Sequence, residues 1–259
     1  LQPVSAILFD LDGVLYVGDQ VIEGAAETLN YCRAKHLPFR FITNTSTRTA
    51  ADVADKLNAM GMNINVEEIF SAVTATRQFL LQQNNPSVHL LIRESAQADF
   101  QDFTQGTRQP DYVIVGDIGA AWNYELLNKV FRELMNGAEL IAMHMNKFWQ
   151  GEDGLQMDIG AFVAGLEFVS GKQAKIIGKP SADFFNLATA SLDTPADQIM
   201  IVGDDIDNDV GGGQAAGLKG VLVKTGKYRE ELARASDVSP DAIIDSIADL
   251  PALLEKSRS

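Results

Sequence analysis

Apolar residues fall along this chain in two alternating patterns, short unbroken runs and longer stretches in which they recur at helical spacing. The runs are Ile7-Leu8-Phe9, Phe39-Arg40-Phe41-Ile42, 88–92, 112–115, 140–143, 174–177, Ile199-Met200-Ile201-Val202, 221–223 and 242–244, and each reads as a strand. Helical spacing predicts helices over 24–35, 49–60, 76–83, 97–103, 124–135, 159–169, 182–191 and 247–254. Strands that are apolar on both faces and separated by helices predict a parallel sheet covered on both sides. The expected fold class is therefore α/β, a doubly wound, Rossmann-like parallel sheet. The alternation restarts at Val88 as a second α/β unit, and the stretch from Ala174 returns to the first kind. The polar run 82–87 is too short for a domain linker, 148–154 reads as an exposed loop, and no repeat of fixed period is present.

Length and composition narrow the function classes. A chain of 259 residues with 46% hydrophobic and 22% charged residues has ample material for a core and is not of disordered type. A net charge of -14 argues against nucleic acid or an anionic membrane surface as partner, because both require a basic face. An anionic substrate stays compatible if a metal and a few lysines reverse the field locally. The single cysteine, Cys32, excludes an internal disulfide and a multi-cysteine zinc site. No basic start with an apolar signal segment and no long apolar span is visible, so the expected location is the cytoplasm. Asn44-Thr45-Ser46 matches a glycosylation acceptor only formally, since that use needs a secretory route.

Four strand ends carry chemistry. The first strand empties into Asp10-Leu11-Asp12-Gly13, two carboxylates at the edge where open α/β sheets collect their chemistry. Such a carboxylate can take up a phosphoryl group while its second oxygen holds a hard cation, and Asp12 in the loop beyond could move a proton. The second strand delivers Thr43-Asn44-Thr45-Ser46, a hydroxyl and several main-chain N–H groups suited to an oxyanion, although Ser46 and Thr47 read equally well as a helix cap. Gly178-Lys179-Pro180-Ser181 supplies a lysine, and Gly203-Asp204-Asp205-Ile206-Asp207-Asn208-Asp209 an acidic cluster.

Rival readings of the pieces fare worse. A calcium loop starting at Asp205 would need glycine at Val210 and glutamate at Ala216. Gly211-Gly212-Gly213 imitates a dinucleotide fingerprint, but the carboxylates upstream repel pyrophosphate, and close helix packing explains the glycines better. His36, His89 and His144 lack ligand spacing, and Ser170 has no partners for a Ser-His-Asp site.

Taken together and in this order, Asp10-x-Asp12, Thr43, Lys179 and Gly203-Asp204-Asp205 resemble the four motifs of the haloacid dehalogenase (HAD) superfamily of phosphohydrolases. The roughly 100 residues between the second and third motifs resemble the C2-type α/β cap of its NagD-like class IIA branch. Within that branch, Leu90-Leu91-Ile92, Met157-Asp158-Ile159-Gly160 and Val202-Gly203-Asp204-Asp205 look most like the phospholysine/phosphohistidine/inorganic pyrophosphate phosphatase group and its relatives.

The resemblance implies a core at 1–74 and 175–259, with an inserted cap at 75–174. It implies Asp10 as nucleophile, Asp12 as general acid and base, and Lys179 as the neutralising cation. Mg²⁺ would be held by Asp10, the main-chain carbonyl of Asp12, and Asp204, backed by Asp205 and Asp209. Thr43, Asn44 and Thr45 would bind the phosphoryl group of a small substrate. Asn146, Lys147, Phe148, Trp149 and Asp158 would be the cap residues near the leaving group, with cap core or a dimer surface as the competing use of Phe148 and Trp149. A homodimer through the cap is admitted by analogy alone. A phosphotransferase or mutase on the same core, and a phospho-ligand-binding protein without turnover, are the alternatives.

Overall fold

The computed structural model describes residues 3–151 and 154–256, with residues 149–151 as backbone only. The chain forms two compact units. One holds the residues up to Thr43, Ala50–Phe70 and those from Lys179, and the other holds Asn44–Thr49 and Ser71–Gly178.

The first unit is built on a six-stranded sheet in the order Ala242–Ile244, Lys219–Val223, Ile199–Gly203, Ala6–Asp10, Phe39–Thr43, Ile69–Ser71. The pairings among its first five strands are parallel. Every residue of Ala6–Asp10 is buried, as expected of a central strand with helices on both faces. Ile7 and Phe9 enter one core with Phe41, Leu29, Leu57 and Val202. There the Phe9 ring lies 6.0 Å from that of Phe41 and 5.8 Å from that of Phe39. Truncating such a ring costs about 3–5 kcal/mol. Cys32 sits fully buried in the same core, and burial pushes its thiol up to about 11, so it is an inert packing residue.

The second unit carries a five-stranded sheet in the order Lys175–Ile176, Glu139–Ala142, Tyr112–Val115, Ser87–Leu91, Thr104–Gln105, all pairings parallel. Its core joins Val113, Val115 and Leu140 to Val130 and Leu134 of the helix Tyr124–Met135 and to Val163 and Leu166 of Gly160–Ser170. The Asn123 side chain starts the first of these helices by accepting from Leu126 N at 2.9 Å.

The structure departs from the sequence reading at several places. The strand expected at 174–177 as a return to the first sheet is Lys175–Ile176, and it pairs with Ile141 and Ala142 of the second sheet. The units accordingly divide after Phe70 and after Gly178, with Asn44–Thr49 counted in the second, where the reading placed the divisions at 74/75 and 174/175. The loop expected at 148–154 is an antiparallel hairpin, Phe148–Gly151 with Gly154–Met157. Glu152, Asp153 and the Trp149 side chain lie outside the described residues. The helix expected at 76–83 begins earlier, at Ala72, because the Ser71 hydroxyl accepts from Thr74 N at 3.2 Å and caps it. At 97–103 only short helical turns form, Glu94–Gln97 and Ala98–Phe100. The close-packing role of the glycine run holds, since a Cβ on Gly213 would stand 2.4 Å from Ile201 Cγ2 and one on Gly212 2.8 Å from Pro180 Cα. No helix among the described residues is long and apolar enough to cross a membrane.

Candidate active site

The first sheet's strand order reverses between Ala6–Asp10 and Ile199–Gly203, the two strands nearest its centre. At such a switch point the connections leave in opposite directions and open a crevice beyond the carboxyl ends of the strands. Register fills that crevice with carboxylates. Phe9 lies opposite Val202, so Asp10 closes its strand opposite Gly203, and Asp204 follows one residue on. Asp10 also lies opposite Ile42, which sets Thr43 one residue beyond on the other side.

Beyond Asp204 the chain turns through a wide helical turn, Ile206–Gly211. Asp205 caps it, accepting from Asn208 N at 2.9 Å and Asn208 Nδ2 at 2.7 Å. Asp209 reaches back, with Oδ2 accepting from Asp205 N at 3.2 Å and Oδ1 from Lys179 Nζ at 2.6 Å. Lys179 Nζ also donates to Asp10 Oδ1 at 2.6 Å. All four side chains, Asp10, Lys179, Asp204 and Asp209, are buried. Oxygens of Asp10, Asp204 and Asp209 lie within 4.8 Å of one another.

The charges do not balance. Burial alone would lower the Lys179 amine, but Asp10 and Asp209 beside it hold it well above the ordinary lysine range, so it stays an ammonium. Three carboxylates still face two lysines, Lys179 hydrogen-bonded to Asp10 and Asp209 and Lys227 acting on Asp204 through its charge. Burial, with Asp10 and Asp209 close by, pushes the Asp204 carboxyl up to about 8, and burial with Asp10 pushes Asp209 up to about 6 against the pull of Lys179. Asp204 is 1% exposed and its Oδ1 has no hydrogen-bond partner. A buried carboxylate oxygen in that condition is costly unless a cation meets it. An all-oxygen, multiply anionic donor set of this kind suits a hard divalent ion, so the residues fit a metal.

The remaining expected site residues are distributed unevenly. Asp12 is exposed, in the loop where Gly13 N donates to Tyr16 O at 2.7 Å, and its carboxylate is not among the three that converge. Asp205, expected beside Asp209 in support of the metal, commits its carboxylate to the helix cap, and Asp209 alone joins the cluster. Thr43 ends its strand half-buried. Asn44 and Thr45 belong to the second unit, with the Thr45 hydroxyl 3.4 Å from that of Thr47. Of the cap candidates, Phe148 is exposed on the hairpin, Lys147 accepts from Asp158 N through its main chain, and Asp158 is turned inward, its Oδ1 accepting from Ile159 N at 2.7 Å.

Two features had no signal in the sequence reading. In the first unit Lys227 N donates to Asp204 Oδ2 at 2.6 Å, from a loop unmarked by periodicity or motif. In the second, Ser46 and Asp158 both face His144 Nε2, at 3.5 and 3.9 Å. A hydrolytic triad needs the serine and the aspartate on opposite ring nitrogens, so this buried group cannot relay a proton to Ser46. Ser170 donates to Leu166 O within its own helix, and His89 pairs with the buried Glu133 at 2.5 Å; both are structural.

Comparison with known proteins agrees with this geometry. Residues 7–104 match the family model described as haloacid dehalogenase-like hydrolase, and residues 176–250 match the HAD-hydrolase-like model. The chain is 37% identical over 228 residues to the haloacid dehalogenase-like hydrolase domain-containing protein 2 of Bos taurus, which covers 88% of this chain and 87% of that one. It is 33% identical over 255 residues to the phospholysine phosphohistidine inorganic pyrophosphate phosphatase of Danio rerio, with 96% and 93% covered. The structure of NagD from E. coli K-12 matches with a TM-score of 0.89 at 27% identity, over 96% of this chain and 98% of that one.

Proposed function

The chain belongs to the haloacid dehalogenase-like hydrolases, as a phosphatase of their NagD-like class IIA branch, and on that premise we propose that it is a Mg²⁺-dependent phosphohydrolase acting on a small phosphorylated molecule through an aspartyl phosphate on Asp10. The observation that carries the reading is the Lys179 ammonium held at 2.6 Å from Asp10, beside an Asp204 oxygen that has no partner. Lys179 donates to Asp10 and sets beside it a positive charge that draws the transferring group toward it.

In the first half-reaction an Asp10 oxygen forms a bond to phosphorus as the bond to the leaving oxygen breaks, and Asp12 gives that oxygen its proton. In the second, water bonds to phosphorus, the Asp10–phosphorus bond breaks, and Asp12 takes the proton from water. Its exposed position suits a group that exchanges protons with solvent. The Thr43 hydroxyl and the Asn44 and Thr45 main-chain N–H groups hold the phosphoryl oxygens. Asp10, Asp204 and the Asp12 carbonyl, with Asp209 beside them, would hold Mg²⁺, which would supply charge neutralisation at those oxygens. The second unit serves as the C2-type cap and selects the leaving group. The name of the Danio rerio relative places phospholysine, phosphohistidine and inorganic pyrophosphate in the test panel beside phosphomonoesters.

Phosphate release from that panel, with Mg²⁺ and with a chelator, tests the reading. Asp10→Asn is expected to lower turnover by at least ~10³-fold with the circular dichroism spectrum unchanged, since the nucleophile is removed without loss of volume. Borohydride trapping followed by mass spectrometry is expected to label Asp10 during turnover. Full activity in Asp10→Asn, or a label elsewhere, overturns the assignment.

A further inference from the structure

Asp204 is held from one side only. Its Oδ2 accepts from Lys227 N at 2.6 Å, while Oδ1 is buried and unpartnered. The loop that makes this contact follows the strand Lys219–Val223 and is itself anchored, since the Thr225 hydroxyl donates to Gly13 O at 2.5 Å. Two glycines let the three segments meet. Gly13 has φ +92° and Gly226 φ +59°, and a Cβ would stand 1.9 Å from Asp204 Oδ2 at the first and 2.1 Å at the second. The second would also stand 2.4 Å from Gly13 Cα. No side chain other than hydrogen can occupy either place while Asp204 keeps its position.

We propose that the Thr225–Lys227 loop is a positioning element of the cation site, fixing Asp204 by Oδ2 so that Oδ1 is the oxygen presented to the ion. A carboxylate tethered at one oxygen cannot rotate to bind through the other or pair with Lys179. The ordering entropy of its side chain is thus met on folding rather than on metal binding. The contact is made by a main-chain N–H, so the identity of residue 227 matters little to it, whereas the shape of residue 226 and the hydroxyl of residue 225 matter greatly.

The proposal rests on the reading that the ion binds at Asp10 and Asp204. The test is Mn²⁺ binding to the chelator-stripped chain, followed by electron paramagnetic resonance, so that no turnover is involved. Gly226→Ala is expected to weaken Mn²⁺ binding by about 10–100-fold, the effect typical of removing a group that orients a metal ligand. Thr225→Val is expected to weaken it about 10-fold and Thr225→Ser to restore it, because serine keeps the hydroxyl. Lys227→Ala is expected to bind Mn²⁺ as tightly as the parent chain, because the contact is made by the main-chain N–H.

Unchanged affinity in a folded Gly226→Ala or in Thr225→Val overturns the proposal, as does a 10-fold loss in Lys227→Ala. Should Gly226→Ala not fold, the valine and serine variants at Thr225 decide alone. Asp204→Asn separates the two levels. If it binds Mn²⁺ like the parent chain, the location of the ion is wrong; if it loses binding while the Thr225 variants do not, the ion is where it was placed and only the loop's role fails.

Discussion

The two large parallel sheets among the described residues obey the same winding rule and end in opposite situations. Counted in chain order within each unit, the first runs 3-2-1-4-5-6 and the second 2-1-3-4-5, so each has a point where the order reverses and a crevice is expected. In the first unit the crevice holds three buried carboxylates and Lys179, with an oxygen of Asp204 left unpartnered. In the second, the Asn44–Thr49 segment of the protein's own chain lies against the strand ends. Asp117 N, just past the strand Tyr112–Val115, donates to Ser46 Oγ at 3.1 Å, and Ser95 Oγ donates to Thr47 O at 2.9 Å. His144, past the strand Glu139–Ala142, faces Ser46 at 3.5 Å, and a Cβ on Gly178 would press on Asn44 Oδ1 at 2.6 Å. Topology alone therefore creates a place for a ligand, and the residues at the strand ends decide whether a ligand or a chain segment takes it.

This contrast can be broken most severely at Lys179. Lys179→Met leaves Asp10 and Asp209 buried without their counter-ion, which is expected to cost about 3–5 kcal/mol in urea unfolding and to abolish phosphate release. Unchanged stability would mean that the lysine does not hold the cluster together.

Loading the cation site sharpens the comparison next. Mg²⁺ at about 100 times its Kd is expected to stabilise the chain by about 2.7 kcal/mol. In hydrogen exchange the added protection should appear at 199–227 of the first unit and spare 87–117 of the second. Protection spread evenly over both units would contradict a single site in the first.

The smallest effect is expected from Ser46→Ala, which deprives the Asp117 N–H of its acceptor. A loss of about 1–2 kcal/mol, read in urea unfolding together with faster exchange of the Asp117 amide, is the expected cost of an unmet partly buried donor. No change would mean that the Asn44–Thr49 segment is not held against the strand ends of the second unit.

The legible part of the site is the part made by side chains at the ends of strong strands. Ile7-Leu8-Phe9 and Ile199-Met200-Ile201-Val202 are apolar enough to read as buried strands, so the carboxylates that follow them stand out. The hairpin of Phe148–Gly151 with Gly154–Met157 was illegible for the opposite reason, because Phe148, Leu155 and Met157 point to solvent and give no core-facing pattern. Lys175–Ile176 is too short for its sequence to choose a sheet, and its pairing with Ile141 and Ala142 makes the choice. Asp205 and Asp209 are alike in type and both follow Asp204, yet one caps a helix and the other meets Lys179, a distinction set by the wide turn between them.

By itself, the sequence determined the α/β class and marked Asp10, Lys179 and Asp204 as candidates, because burial periodicity and charged strand ends are local properties of the chain, while the order of the motifs carried the resemblance to the family. The tertiary structure alone decided that Asp209 completes the cluster, that Lys227 tethers Asp204 through its main chain, and that Asn44–Thr49 lodges in the second unit. Those outcomes depend on which segments meet after folding and on main-chain donors that every residue but proline possesses, so no residue type announces them in advance.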